Sequence, residues 1–466
     1  MRVRLPIFAL LLSLHACSTS KPNATLVLIP GQETDAFTRE PKPTQLKIHA
    51  VSIAGEKQTL ASMPWPTGTF DIGDLPTDQF AALEAVGSTA AGDAVVRGRT
   101  LPMALGSLDG AEVPLFMGRV GEMARPPGSL PVSRTRGVAG IVGGLYLVTS
   151  GGTDVLDASG APVTAASAIA YDLGLWAPLQ YTASSNLPRT PLTMAIVSLH
   201  FGLLIDAQGA TWIDFDTTEN VEATAPAGMT FADVAGGVPV LGEDGAAYVV
   251  GATRAGGTPT AAVLRVGSDL SLSALTLTAP RAGASAAWSS GKGLVVAGGN
   301  ASAPGVEWLA TDATQFVALP FAPDPVAGGG ATTLDATHVL LAGGVDDKGA
   351  PAPARMIDPS CASACSAQAI SGSEATALEA ASAWALSATK ALVVGTAPAA
   401  QPDAGQTRVV MVSLNALAAT TKLVVLREPR IGATAAALPM GTIAITGGKS
   451  PSGQAVRSVE LFTPPE

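Results

Sequence analysis

From about residue 114 to the C-terminus, short apolar runs alternate with polar, turn-forming stretches, and six of the runs stop in glycine. The runs span 147–152, 248–251, 294–299, 339–344, 392–395 and 443–448, and their stops are Gly151 and Gly152, Gly251, Gly298 and Gly299, Gly343 and Gly344, Gly395, and Gly447 and Gly448. Successive stops lie 45 to 53 residues apart except for a first gap of 99, which places one degenerate copy at 201–206. Apolar runs this short are strands rather than helices, and a period near fifty with glycine punctuation predicts the repeating four-stranded sheets of a propeller. Residues 25–113 lack the period. Candidate strands there cover 25–29, 45–53, 58–62, 69–72, 80–86, 94–98 and 113–117, with period-two alternation clearest at 45–51. Seven short strands in about ninety residues predict a small β-sandwich of immunoglobulin-like kind.

The repeats share a plan: a Pro-Arg or similar lead-in, a small-residue strand, the apolar strand ending in glycine, a variable loop, then a strand bearing an acidic or aromatic residue. Arg430, Gly447, Gly448 and Glu460 show it, as do Arg281, Gly298, Gly299 and Glu307. The first copy adds Arg134, Tyr171-Asp172 and Trp176, with Pro188-Arg189 leading into the next. These residues resemble the Kelch repeat of Kelch and galactose-oxidase-type β-propellers. The resemblance covers 114–466 and implies a seven-bladed Kelch-like β-propeller with blades at 134–188, 189–231, 232–280, 281–328, 329–378, 379–429 and 430–466. The last of these is short of an outer strand, so 114–133 is expected to close the ring, with 116–123 pairing to the final blade. The glycines read as scaffold, at strand ends where chains approach closely, and not as a phosphate cradle.

Composition agrees with an all-β chain: aromatics are 5%, while Gly (51) and Pro (35) are abundant. A formal net charge of −10 with scattered Lys and Arg excludes a general nucleic-acid binder, which needs a basic stripe. The N-terminus carries Arg2 and Arg4, then an apolar stretch too short to span a bilayer, which is the pattern of a secretory signal. Its ending, Leu14-His15-Ala16-Cys17, resembles the bacterial lipoprotein box. That resemblance implies a signal peptide at 1–16, lipidation of Cys17, a tether at 17–24, and a Gram-negative outer-membrane location facing the periplasm or the surface. An ordinary secretory peptide is the alternative. Cys361 and Cys365 are too few for a closed zinc site and, in an oxidising compartment, are expected to form a disulfide stiffening one surface turn.

Copper chemistry of the oxidase kind needs convergent imidazoles, whereas His15, His49, His200 and His338 are scattered. Asp214, Asp216 and Glu219, and the pair Asp346-Asp347, read as turn carboxylates and not as calcium ligands. No catalytic, cofactor or metal residue is assigned. The expected function is a lipid-anchored binding or scaffold protein presenting the propeller to an envelope protein or polysaccharide. Contacts are expected on the loops at 300–305, 345–353, 396–407 and 449–457. The alternative is an envelope hydrolase or lyase with its site at the channel mouth.

Overall fold

The computed structural model describes residues 23–65, 70–76, 78–163, 168–179, 190–217, 219–250, 258–302 and 304–465. The signal segment, Cys17, Arg189 and Gly251 therefore lie outside the described residues. The chain is all-β, with only three one-turn 3₁₀ helices among the described residues.

Strands form at all seven N-terminal positions that alternation marks, with ends shifted by one or two residues at most: Asn23–Ile29, Gln45–Ser52, Lys57–Pro64, Phe70–Asp74, Phe80–Ser88, Ala94–Arg99 and Ala111–Phe116. They make two sheets. In one, Asn23–Ile29 lies between Phe70–Asp74 and a parallel partner, Ala111–Phe116. The other runs from Lys57–Pro64 through Gln45–Ser52, Phe80–Ser88 and Ala94–Arg99 to Gly118–Arg119. Leu26, Ile72 and Leu115 from the first sheet meet Leu46, Ile48, Leu83 and Val96 from the second in one buried core. This is a β-sandwich, its two sheets closing over that core.

Seven four-stranded antiparallel sheets follow among the described residues. Their second strands are the apolar runs: Tyr146–Ser150, Phe201–Ile205, Ala247–Val250, Gly293–Ala297, Val339–Ala342, Lys390–Thr396 and Ile443–Thr446. First strands of neighbouring sheets touch one another from the first sheet to the sixth, and Thr434–Ala437 of the seventh returns to Val138–Val142 of the first. The sixth meets the seventh through Leu392 and Val394 against Ile443 and Ile445. Apolar second strands are thus buried between sheets in a closed ring, a β-propeller.

The seventh sheet has three strands from the C-terminus, and its fourth comes from the other end of the repeat region. Met123 pairs with Phe462 and Ala124 with Leu461. The sequence places this strand at 116–123, so the pairing falls at the last of those residues and one beyond. Residues 111–119 are held instead by the sandwich.

The repeat signature has a structural cause. Arg134, Arg281 and Arg430 each donate from Nη1 to the carbonyl of the glycine seventeen residues on: Gly151 at 2.8 Å, Gly298 at 2.7 Å and Gly447 at 3.2 Å. In the fourth sheet the guanidinium also meets Glu307 at 2.9 Å, and in the seventh Glu460 at 2.6 Å, with all four side chains fully buried. Each carboxylate also takes backbone amides from the preceding segment: Thr278 for Glu307, and Arg427 and Glu428 for Glu460. One ion pair therefore joins a sheet's lead-in, its glycine stop and its third strand.

The glycine stop is where neighbouring sheets come closest. A Cβ on Gly298 would lie 2.5 Å from the Val326 carbonyl of the next lead-in, and one on Gly447 would lie 2.4 Å from that of Arg134, where the ring closes. Gly298 also has φ +77°, open to glycine at little cost. Gly395 lies outside the positive-φ region. It owes its place to close packing alone, since a Cβ there would lie 2.8 Å from Leu378.

Candidate functional site

In an antiparallel four-stranded sheet, the turns between strands one and two and between strands three and four fall at one end, and the remaining connections at the other. The loops after the glycine stops all belong to the second end. The first end carries a cavity of about 500 Å³ between the fifth and sixth sheets. Its wall comes from four connections: the turn 334–338, the loop 358–368, the turn 388–389 and the turn 414–417.

Each wall element is held by its own sequence. Asp335 caps the first turn, accepting from the amides of Thr337 at 2.8 Å and His338 at 2.9 Å. Asp358 caps the loop, accepting from the Ser360 amide at 2.8 Å and hydroxyl at 2.6 Å. Cys361 and Cys365 form the expected disulfide. The bond does more than stiffen a surface turn: Cys365 pairs in parallel with Phe321, donating to Pro320 at 3.0 Å and accepting from Ala322 at 2.9 Å. The loop is thereby fixed to the end of the fourth sheet. On the other side, Ser371 donates to Leu417 and accepts from Ala419, which ties the fifth sheet to the sixth. Ala364 and Ala416, both lining the cavity, take φ of +50° and +52°. Alanine in this region costs about 1 kcal/mol, and such residues persist only where surrounding contacts fix them.

The lining mixes polar and apolar groups. Phe321, Leu334, Met356, Leu414 and Leu417 supply the apolar part, and Asp335, His338, Asp358, Ser366, Gln368 and Thr389 the polar part. His338 Nδ1 lies 2.9 Å from Asp335 Oδ2. The Thr337 amide above all, and then the His338 ring, hold the Asp335 carboxyl down to about 2. The Ser360 hydroxyl first, against the opposing effect of burial, holds Asp358 below the usual carboxylate range. Both carboxylates are ionised at neutral pH. A carboxylate at Nδ1 favours the tautomer protonated there and leaves Nε2 as the nitrogen able to accept a proton or a hydrogen bond. The site can thus accept hydrogen bonds through two carboxylates and an oriented imidazole, beside an apolar wall.

Scattered histidines are expected to be ordinary strand or turn residues. His49 accords with that, facing Thr59 across neighbouring strands at 3.2 Å. His200 and His338 are turn residues just before the second strands of the second and fifth sheets, and each also pairs with a carboxylate, Asp216 at 2.7 Å and Asp335. The signal for His338 was local: Asp335-Ala336-Thr337-His338 is an Asp-capped turn whose fourth residue faces its first. What brings Asp358, Gln368, Thr389 and Leu417 to the same place is the stacking of two sheets, which leaves no mark in the spacing. Asp214 and Asp346 cap their own turns, accepting from the amides of Asp216 and Lys348 at 2.9 Å each. Tyr171 and Trp176 serve the first sheet's packing. The Tyr171 hydroxyl donates to the Pro127 carbonyl, and Trp176 lies against Phe116 with ring centroids 5.3 Å apart.

No family model matches the chain, and no curated protein sequence matches it. Similar solved structures include YCF48 bound to D1 peptide, at 12% identity over 73% of this chain and 94% of that one, with a TM-score of 0.43. The extracellular domain of a hybrid two-component system from B. thetaiotaomicron is 10% identical over 71% of this chain and 38% of that one, with a TM-score of 0.40. The calcium-binding protein regucalcin from Agrobacterium tumefaciens str. C58 is 12% identical over 58% of this chain and 85% of that one, with a TM-score of 0.35.

Proposed function

We propose that this chain is a lipid-anchored cell-envelope binding or scaffold protein. It is read as a seven-bladed Kelch-like propeller behind a two-layer sandwich, tethered through Cys17. The immunoglobulin-like description of that sandwich extends to its layers; its consecutive hairpins stay within one sheet. The partner is an envelope protein or polysaccharide, which places a side chain or sugar-sized group in the cavity between the fifth and sixth sheets. The observation that carries the reading is the cavity itself. It has the volume of a small-ligand site, an oriented imidazole–carboxylate pair and an apolar wall, built from turns that the disulfide and inter-sheet hydrogen bonds fix in advance. A secretory signal and a disulfide belong to the same compartment.

Two variants of the full chain separate the anchor from the ligand site. Cys17→Ser is expected to move the protein from the detergent phase to the aqueous phase while it still recovers its partner from solubilised envelopes. Thr389→Trp, which fills the cavity, is expected to remain in the membrane and lose the partner. Retention of the partner by Thr389→Trp would overturn the cavity assignment, and membrane retention of Cys17→Ser would overturn the anchor.

A further inference from the structure

We infer that the N-terminal module is the clasp of the ring: its segment 31–41 straps the closing strand in place, so that ring closure depends on the module. The closing strand alone is slight, with two residue pairs against Glu460–Phe462. Two-residue pairing is far below what an isolated hairpin needs for stability. Backbone bonds of Gly121 and Glu122 with Thr463 extend it by little, and the strap adds a second set of contacts. Gly31, at φ +68°, lets the chain pass where a Cβ would lie 2.1 Å from the Arg125 carbonyl, and the Gln32 amide donates to that same carbonyl at 2.9 Å. The Gln32 side chain donates to Pro126 at 3.0 Å. Glu33, nearly buried, takes the Arg125 amide at 2.6 Å and Nε at 2.8 Å.

The opposite direction is held equally. Arg119, 6% exposed, donates to the carbonyls of Ala36 at 3.0 Å, Arg39 at 3.1 Å and Pro41 at 3.1 Å. Its guanidinium therefore fixes the strap's backbone to the last strand of the sandwich, just before the closing strand. Arg39 then reaches Glu122 at 2.5 Å, and Glu122 takes Arg427 at 2.8 Å from the link between the sixth and seventh sheets. Arg427 Nε also donates to the Met123 carbonyl at 2.7 Å. Strap, closing strand and ring thus share one network, and none of the three is complete without the other two.

The test is amide hydrogen exchange on the full-length protein carrying Arg39→Ala, a partly exposed position whose loss leaves the sandwich core untouched, with Gln32→Ala as a second variant. Exchange at residues 123–124 and 460–462 is expected to rise about tenfold or more in both variants, with exchange in the third and fourth sheets unchanged. Exchange at the seventh sheet that stays at the parent rate in both variants would overturn the inference. So would a rise spread evenly over all seven sheets, which would report global destabilisation and not release of a clasp.

Discussion

The buried arginine of the repeat is best understood by comparing copies within the molecule. Val234, Val326 and Leu378 occupy the positions of Arg134, Arg281 and Arg430, seventeen residues before a glycine stop. Opposite the residue two before that stop stand Glu307 and Glu460 in the fourth and seventh sheets, Leu264 in the third and Val410 in the sixth. In the fourth and seventh sheets arginine pairs with glutamate, in the third and sixth two aliphatic residues share a core, and in the first, which carries Arg134, the matching position is Ile169. The fifth sheet has Val326 with Arg355, whose guanidinium turns to Asp324 at 3.0 Å. The two solutions are alternatives because a buried ion pair gives little net stability over a packed apolar pair, whereas half of one leaves an uncompensated charge. Glu307→Leu alone is therefore expected to cost about 3–5 kcal/mol. Arg281→Leu combined with Glu307→Val, the arrangement of the sixth sheet, is expected to recover at least half of that loss in urea unfolding. Gly298→Ala is expected to cost at least about 2 kcal/mol by the same measurement, because both φ and the Val326 carbonyl oppose a side chain.

At the scale of elements, the strands and repeats were legible because their signals are local. Alternation at 45–51 and the apolar runs before glycine require only that one face be buried, and strands form at each of them. Even the second sheet, which lacks the glycine stop, keeps its apolar run as Phe201–Ile205. The site was not legible, since His338, Asp358 and Thr389 belong to three different connections brought together by sheet stacking. The strap at 31–41 was equally hidden, as its partners Arg119, Glu122 and Arg125 are about ninety residues away in sequence. Its acid response follows from Glu122. Burial works to raise that carboxyl, and the hydrogen bonds and charges of Arg39 and Arg427 outweigh it, so the group titrates below its ordinary value. A depressed carboxyl contributes stability that is present above the unfolded value of about 4.3 and is lost as the pH falls through the folded one. Glu122→Gln is therefore expected to lower the urea midpoint at pH 7, with the gap from the parent closing as the pH is taken below about 4. A gap unchanged between pH 7 and pH 3 would show that the charge of Glu122 is not what holds the junction.

On the scale of the whole molecule, the ring has two unlike ends. One carries the loops after the glycine stops, which are long and variable and are the surface that the sequence recommends for contacts. The other carries the tight turns, the disulfide loop and the cavity, together with exposed Leu175, Leu199, Leu241 and Leu417 at turns of four different sheets. Binding is assigned to the end that carries the cavity. This is tested most directly by placing a photo-crosslinking residue at Leu417, on the cavity rim, or at Lys348, in an exposed loop after a glycine stop at the opposite end, and irradiating intact envelopes. A discrete adduct is predicted from position 417, abolished by Thr389→Trp, and none of the same partner from 348. The same adduct from 348 with none from 417 would contradict the account.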